Sequence, residues 1–188
     1  MELFMRIFNK FFLCYKIYTF KINTKLLNIK TIVFETDFEI KILTIEDIDS
    51  FDYVEKYRKG YKHIAFNRLS NQNYICLGLF DNTSNRLAYF NWIKKHEHFL
   101  HEINTQLNLK TNEALLLDDY TLPGYRGCGL HSYMMNERLK YCQQIGLNSV
   151  HVLIMCFNQK AIQTIQKYKP EIDKSFFSIR RISNDRNR

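Results

Sequence analysis

No two cysteines in this chain form a C-x-x-C pair; the five stand singly at Cys14, Cys76, Cys128, Cys142 and Cys156. An odd, scattered set supplies no disulfide framework and points to a reducing, cytoplasmic setting. No alanine occurs before Ala65, so the small-residue cleavage site of a secretory signal is missing from the N-terminal stretch. No uncharged run reaches the ~18 residues needed to span a bilayer. Arg6, Lys10 and Lys16 interrupt the apolar start. There is no internal repeat, no low-complexity linker, and no RNA- or DNA-binding motif to accompany the basic residues.

The length of 188 residues suits one domain that buries well over half of its unfolded surface. The formal net charge of +8 belongs to the ends: residues 1–30 carry six Lys/Arg against Glu2 alone, and residues 159–188 carry eight against three acids. Such ends attract polyphosphates, nucleic acid or an anionic membrane surface. Phe4, Ile7, Phe8, Phe11, Phe12, Ile17 and Phe20, set among basic residues, read as a basic amphipathic helix. Residues 1–37 are therefore expected to be an N-terminal extension that packs on the domain or on a second subunit of a homodimer. Weak membrane-surface association is the competing reading. Residues 38–188 form the domain proper.

Within that domain the pattern is readable. Residues 38–42 alternate as a strand, and Thr44 with Asp47 opens a helix that continues weakly to residue 69, broken near Gly60. Residues 74–80 and 87–93 form a hairpin across a polar link, and residues 114–120 a further strand. A helix over 130–145 stops at Gly146, with Leu147 as the apolar residue after the cap. Residues 150–156 read as a strand covered on both faces, followed by a helix over 161–168 and a closing strand over 175–182. Residues 22–33 are ambiguous. Pattern alone predicts a mixed α/β (α+β) fold with a central sheet.

The most informative segment is Arg126-Gly127-Cys128-Gly129-Leu130-His131, between a strand and a helix. Two glycines two apart let the backbone turn tightly and bring the amides of Gly127, Gly129 and Leu130 to a helix start. An anion there meets unpaired donors and the positive helix end, worth ~0.3–1 kcal/mol when exposed and up to ~2 kcal/mol when partly buried. Arg126 adds a cationic fork. A Walker loop fails because Leu130 follows Gly129. A dinucleotide fingerprint fails because the next strand closes on Asn158 rather than an acid, with too few elements after it.

An acyl-CoA pyrophosphate loop remains. The segment resembles the Arg/Gln-x-x-Gly-x-Gly/Ala motif of the GNAT superfamily of acyl-CoA-dependent N-acetyltransferases, and the N-terminal stretch over residues 1–20 is similar to that of its polysaccharide-cluster members. Tyr120-Thr121-Leu122-Pro123-Gly124-Tyr125 is similar to the end of that family's fourth strand, and Asn158-Gln159-Lys160-Ala161 resembles the fifth-strand exit and fourth helix. The likeness covers residues 113–170 in sequence and residues 38–95 in order of elements. It implies a mainly antiparallel central sheet flanked by helices, with strands four and five splayed and acetyl-CoA in the cleft as acyl donor. It also implies that the backbone of Tyr120, Thr121 and Leu122 pairs with the pantetheine arm. Arg126, Gly127, Cys128, Gly129, Leu130, His131 and Asn158 would surround the rest of the cofactor.

The implied reaction is direct attack on the thioester by a primary amine of a small molecule, an amino sugar among the candidates, with backbone N–H meeting the oxyanion. A base must take the amine's proton, or the site must lower the amine's pKa. Glu113, Asp118 and Asp119 are the candidates; alternation places Glu113 and Asp119 on one face and Asp118 on the other. Asp119 is favoured as nearest the pantetheine end. Its structural alternative is a carboxylate holding a backbone amide or Arg126.

Two departures from the family matter. His131 replaces the final Gly/Ala and is read as a cofactor contact. Ile165 replaces the tyrosine that often protonates the thiolate, leaving Tyr168 as the nearest phenol on nearly the same helical face. A thiol of pKa about 8.5 leaves tolerably without an acid. The competing function is a degenerate acyl-CoA-binding module without turnover. His96, Glu97, His98 and His101 read as a solvated link rather than a zinc site. Asn158 doubles as a helix N-cap, and Tyr57, Tyr61 and Trp92 are candidates to line the acceptor pocket.

Overall fold

Phe12–Asn23 is a β-strand, β1, in the computed structural model, which describes residues 12–29, 37–100 and 105–181. This corrects the amphipathic-helix expectation as far as it can be seen; residues 1–11 lie outside the described residues. Tyr, Ile, Thr and Phe favour a pleated, half-buried surface. Tyr18, Phe20 and Ile22 recur every second residue and pack into the main core, while Lys21 between them faces the other side and pairs with Glu113. The segment assigned to an extension thus supplies an interior strand.

The remaining strands are β2 (Phe38–Leu43), β3 (Tyr74–Asp81), β4 (Arg86–Lys95), β5 (His98–Leu100), β6 (Thr105–Leu107), β7 (Glu113–Thr121), β8 (Ser149–Met155) and β9 (Glu171–Arg181). The helices are α1 (Asp52–Glu55), α2 (Tyr61–Leu69), α3 (Leu130–Gln144) and α4 (Gln159–Gln166). Among the described residues seven strands form one sheet in the order β2-β3-β4-β7-β8-β1-β9, antiparallel throughout except for the parallel pair β7–β8. β5 and β6 make a small separate hairpin where a plain polar link was expected.

Helices α3 and α4 cover one sheet face, burying Leu130, Met134, Leu139, Cys142 and Ile165 against Tyr89, Ile93, Leu116 and Val152. On the other face a 3-10 turn over Ile45–Phe51 leads into α1 and α2. Phe51, Val54, Tyr61 and Ala65 pack there on Phe90, Trp92 and Leu122. Each such large apolar side chain contributes about 1.5–3 kcal/mol by burial. The Thr44 N–H donates to Asp47 Oδ2 at 2.8 Å, the reciprocal start expected from the sequence. α3 ends as expected: Leu147 N–H returns to Cys142 O (2.9 Å) and Gly146 N–H to Gln143 O (3.1 Å), with Gly146 at φ 76°.

Candidate functional site

β7 and β8 bond only where residues 113–116 meet residues 149–152. Past that point β7 is bulged: Trp92 pairs with Leu117 and Phe90 with Tyr120, so Asp118 and Asp119 together oppose Asn91. Asp118 takes φ 43°, a left-handed conformation that Asp tolerates better than most residues. A bulge bends its strand, and the two strands part here. The resulting cleft of about 500 Å³ is lined by Leu116, Asp118, Asp119, His131, Asn158, Lys160 and Ile165 among others.

The bulge also breaks the alternation expected along β7. Asp119 turns to the α3 face, whereas Glu113 lies on the opposite face with Leu115 and meets Lys21 and His151. Glu113 is buried at the far end of the strand and does not line the cleft. Burial would push its carboxyl up, but Lys21 Nζ at 2.6 Å and the Lys110 N–H outweigh this and hold it at about 2. It is therefore placed for structure and not for proton abstraction.

Asp119 is fully engaged. Tyr89 Oη donates to its Oδ1 at 2.6 Å, and Arg138 Nη2 lies 2.8 Å from Oδ1 and 2.9 Å from Oδ2. The partner is Arg138, not Arg126 or a backbone amide. Arg138 is completely buried, and its Nη1 reaches toward the carbonyls of Leu117 (3.4 Å) and Trp92 (3.5 Å) beside the bulge. Sequence reading passed it over, although it lies four residues from both Met134 and Cys142 on the buried face of α3. A fixed cation in such a stripe demands an anionic partner from another element.

Burial pushes the Tyr89 phenol well above its usual range and keeps it neutral. Its single proton goes to Asp119, so at its 3.2 Å contact with His131 Nδ1 the hydroxyl can only accept. In the neutral imidazole that contact puts the proton on Nδ1 and leaves Nε2, which has no partner among the described residues, as the accepting nitrogen. Asp118 points to the other face, held by Arg68 Nη1 at 2.6 Å and approached by Tyr61 Oη at 3.4 Å.

The glycine loop is open. After a 3-10 turn over Pro123–Tyr125, Gly127 and Gly129 take φ 83° and 76°, and Gly129 begins α3 without a side-chain cap. The N–H groups of Gly127 to His131 donate to no acceptor among the described residues. A Cβ built on Gly127 would meet nothing within 4 Å. Arg126 and Cys128 are exposed, and Arg126 Nε donates to Thr121 O at 3.2 Å. Leu130 is buried, so only its amide faces the loop. Tyr120 and Thr121 bond one edge to β4 and leave the other toward the cleft. Leu122 departs from expectation: its N–H goes to Ala88 O, its carbonyl accepts from Tyr125, and its side chain is buried.

Across the cleft, Asn158 Oδ1 caps α4 by accepting from Ala161 N–H at 3.2 Å, as expected. Ile165 lines the cleft. Tyr168 does not: α4 ends at Gln166, and the Tyr168 hydroxyl donates to Asn136 Oδ1 at 2.7 Å, its phenol pushed up to about 12 by burial. Trp92 and Tyr61 are core residues, joined by Trp92 Nε1 donating to Tyr61 Oη at 2.9 Å. Tyr57 is exposed and pairs with Tyr53.

The sequence matches no family model and no curated protein. Solved structures do match. A GCN5-related N-acetyltransferase from Sphaerobacter thermophilus superposes with a TM-score of 0.64 at 8% identity, covering 96% of this chain and 56% of that one. A tandem GNAT protein from the clavulanic acid biosynthesis pathway gives 0.63 at 10% identity, over 89% and 53%. AAC(6')-Iy, in complex with the bisubstrate analogue CoA-S-monomethyl-acetylneamine, gives 0.56 at 11% identity, over 81% and 99%. The chain thus spans about half the length of the first two of these structures and nearly all of the third. Its fold is the GNAT fold.

Proposed function

We propose that this chain is an N-acetyltransferase that moves an acetyl group from acetyl-CoA to a primary amine of a small molecule. One observation carries the reading: a row of unpaired amides at a helix start opens beside the cleft where β7 and β8 part. The residues fit the diphosphate of coenzyme A. Donors at Gly127, Cys128, Gly129, Leu130 and His131 are free, no Cβ obstructs Gly127, and exposed Arg126 supplies charge. The free edge at Tyr120 and Thr121 suits a pantetheine arm, with Asn158 opposite. Amino sugars are the first acceptors to test. The unpaired thiols, Cys128 exposed among them, suit a reducing cytoplasm. No helix among the described residues is long and apolar enough to cross a membrane.

In this reading the amine attacks the thioester carbon, and its surplus proton must leave. Asp118 and Asp119 are held by arginines, and Lys160 offers only donors. The free Nε2 of His131 takes the proton, while Asp119 acts through Tyr89 to hold the imidazole in that tautomer. The C–S bond breaks and the thiolate leaves. Calorimetry with coenzyme A and thiol release from acetyl-CoA over a panel of amines test the reading. Heat and turnover are expected; no heat with coenzyme A refutes it. Binding without turnover on any amine favours an acyl-CoA-binding module, a reading supported by Ile165 in the cleft and by Tyr168 being turned to Asn136.

A further inference from the structure

The acids of the 3-10 turn, of α1 and of the β7 bulge are already committed. Asp49 and Asp52 hold Lys62 Nζ at 2.8 and 2.5 Å. Glu55 accepts the N–H groups of Gly60 (2.5 Å) and Lys62 (2.8 Å), capping the start of α2. Asp118 is taken by Arg68. Arg58, half-buried in the turn between α1 and α2, forms an ion pair with no carboxylate among the described residues. It is nevertheless held in place: its guanidinium lies 4.2 Å from the Tyr61 ring centroid and 5.3 Å from that of Tyr120. Stacking on rings fixes a guanidinium plane while leaving its in-plane donors free.

The location bears on the reaction. Tyr61 touches Asp118, which lines the cleft, and Arg58 sits on the α1–α2 side of the sheet, sharing the Tyr120 ring with Arg126 of the glycine loop, whose guanidinium lies 5.8 Å from that centroid. A cation held beside the cleft without a counter-charge is suited to a second anion, besides the diphosphate that the loop amides and Arg126 receive. Resting on the transferase reading above, we propose that Arg58 is an anion subsite for the acceptor, and that the acceptor is a primary amine carrying a carboxylate or a phosphate. The planar fork receives either group through two parallel N–H···O bonds.

Matched acceptor pairs test this: an amino acid against its amide, and an amino-sugar phosphate against the free amino sugar. The anionic member of one pair is expected to show a kcat/KM at least ~10-fold higher, the worth of one charge-assisted contact; which pair responds separates carboxylate from phosphate. Arg58→Gln should erase that preference through KM while leaving coenzyme A affinity, measured by calorimetry, as in the unaltered protein. Arg126→Gln should weaken coenzyme A. Arg58→Lys, which keeps the charge without the fork, should fall between, and an unchanged melting temperature in any of the three shows that folding is intact. The proposal is overturned if neither pair shows a preference, if Arg58→Gln retains it, or if Arg58→Gln weakens coenzyme A as Arg126→Gln does. Absence of coenzyme A heat in the unaltered protein overturns the transferase reading itself, a result distinct from those three.

Discussion

Replacing Asp119 by Asn strands a guanidinium that has no access to water. Arg138 is 0% exposed along its side chain, whereas Asp119 keeps 26% of its side chain exposed at the cleft. Removing one partner of a buried pair costs about 3–5 kcal/mol when the remaining charge cannot be solvated. Asp119→Asn is therefore expected to cost that amount. Arg138→Met leaves a carboxylate that the cleft can hydrate, beside Met135 in a site that takes an unbranched apolar chain, and should cost nearer ~1–2 kcal/mol. The double variant should be no worse than Arg138→Met alone, because the stranded charge is gone. In a chain of this size ~2–4 °C of melting temperature corresponds to each kcal/mol, so Asp119→Asn should lower the midpoint by roughly 10 °C. Urea titration and thermal melting of the three variants measure the cycle. An Asp119→Asn cost below that of Arg138→Met would refute the claim that Arg138 is the uncompensated partner.

Glu113 has a folded pKa of about 2 against an ordinary 4.5, so its contribution is present above pH 4.5 and is lost as pH falls toward 2. The shift corresponds to about 3 kcal/mol; urea midpoints of Glu113→Gln should lose the acid-side slope that the unaltered protein shows over that window. His131→Gln should lower kcat by ~10²–10⁴, with coenzyme A affinity by calorimetry little changed. The groups facing that imidazole are Tyr89 from β4, Asp119 from β7 and Arg138 from α3, with Lys160 of α4 across the cleft. Gly127→Ala, at φ 83° with open space around it, should cost about 1–2 kcal/mol from backbone strain alone, and should weaken coenzyme A in the same calorimeter by setting a methyl on the cradle. Phe20→Ala should cost about 3–5 kcal/mol as a core truncation; a loss below ~1 kcal/mol in urea would mean that β1 is a separable extension.

What could be read in the sequence was what local chemistry decides. Gly127 and Gly129 permit the positive φ that a tight turn before a helix uses, Asn158 caps the helix that follows it, and Gly146 with Leu147 closes α3 by bonds spanning five residues or fewer. The bulge at Asp118 has no such local marker: a continuous apolar run, Ala114 to Leu117, precedes it, and only pairing opposite Asn91 of β4 inserts the extra residue. That one residue moved Asp119 to the face of α3 and away from Glu113. Arg138 was overlooked for a related reason, since its value depends on a carboxylate that approaches from another element. Tyr168 was assigned by helical spacing, but α4 had already ended.

β1 shows how far the cleft depends on contacts that sequence distance hides. β8 forms one wall of the cleft, yet β7 holds it by only four residue pairs before the bulge turns β7 away. β1 holds the opposite edge by seven, from Ile17–Met155 to Asn23–Ser149, and three of these, Ile17–Met155, Tyr18–Ile154 and Thr19–Leu153, run along the part of β8 that β7 has released. Without that strand the released half of β8 would carry unpaired backbone groups on both edges, and pairing with a solvated or shifted neighbour would close or skew the opening. Lys21 reinforces the arrangement from within β1 by binding Glu113, the residue at which β7 begins its short pairing with β8. The separation of the two walls is thus set by the earliest described strand of the chain, and a residue such as Phe20, which touches neither the loop nor the cleft, bears directly on the geometry of the site.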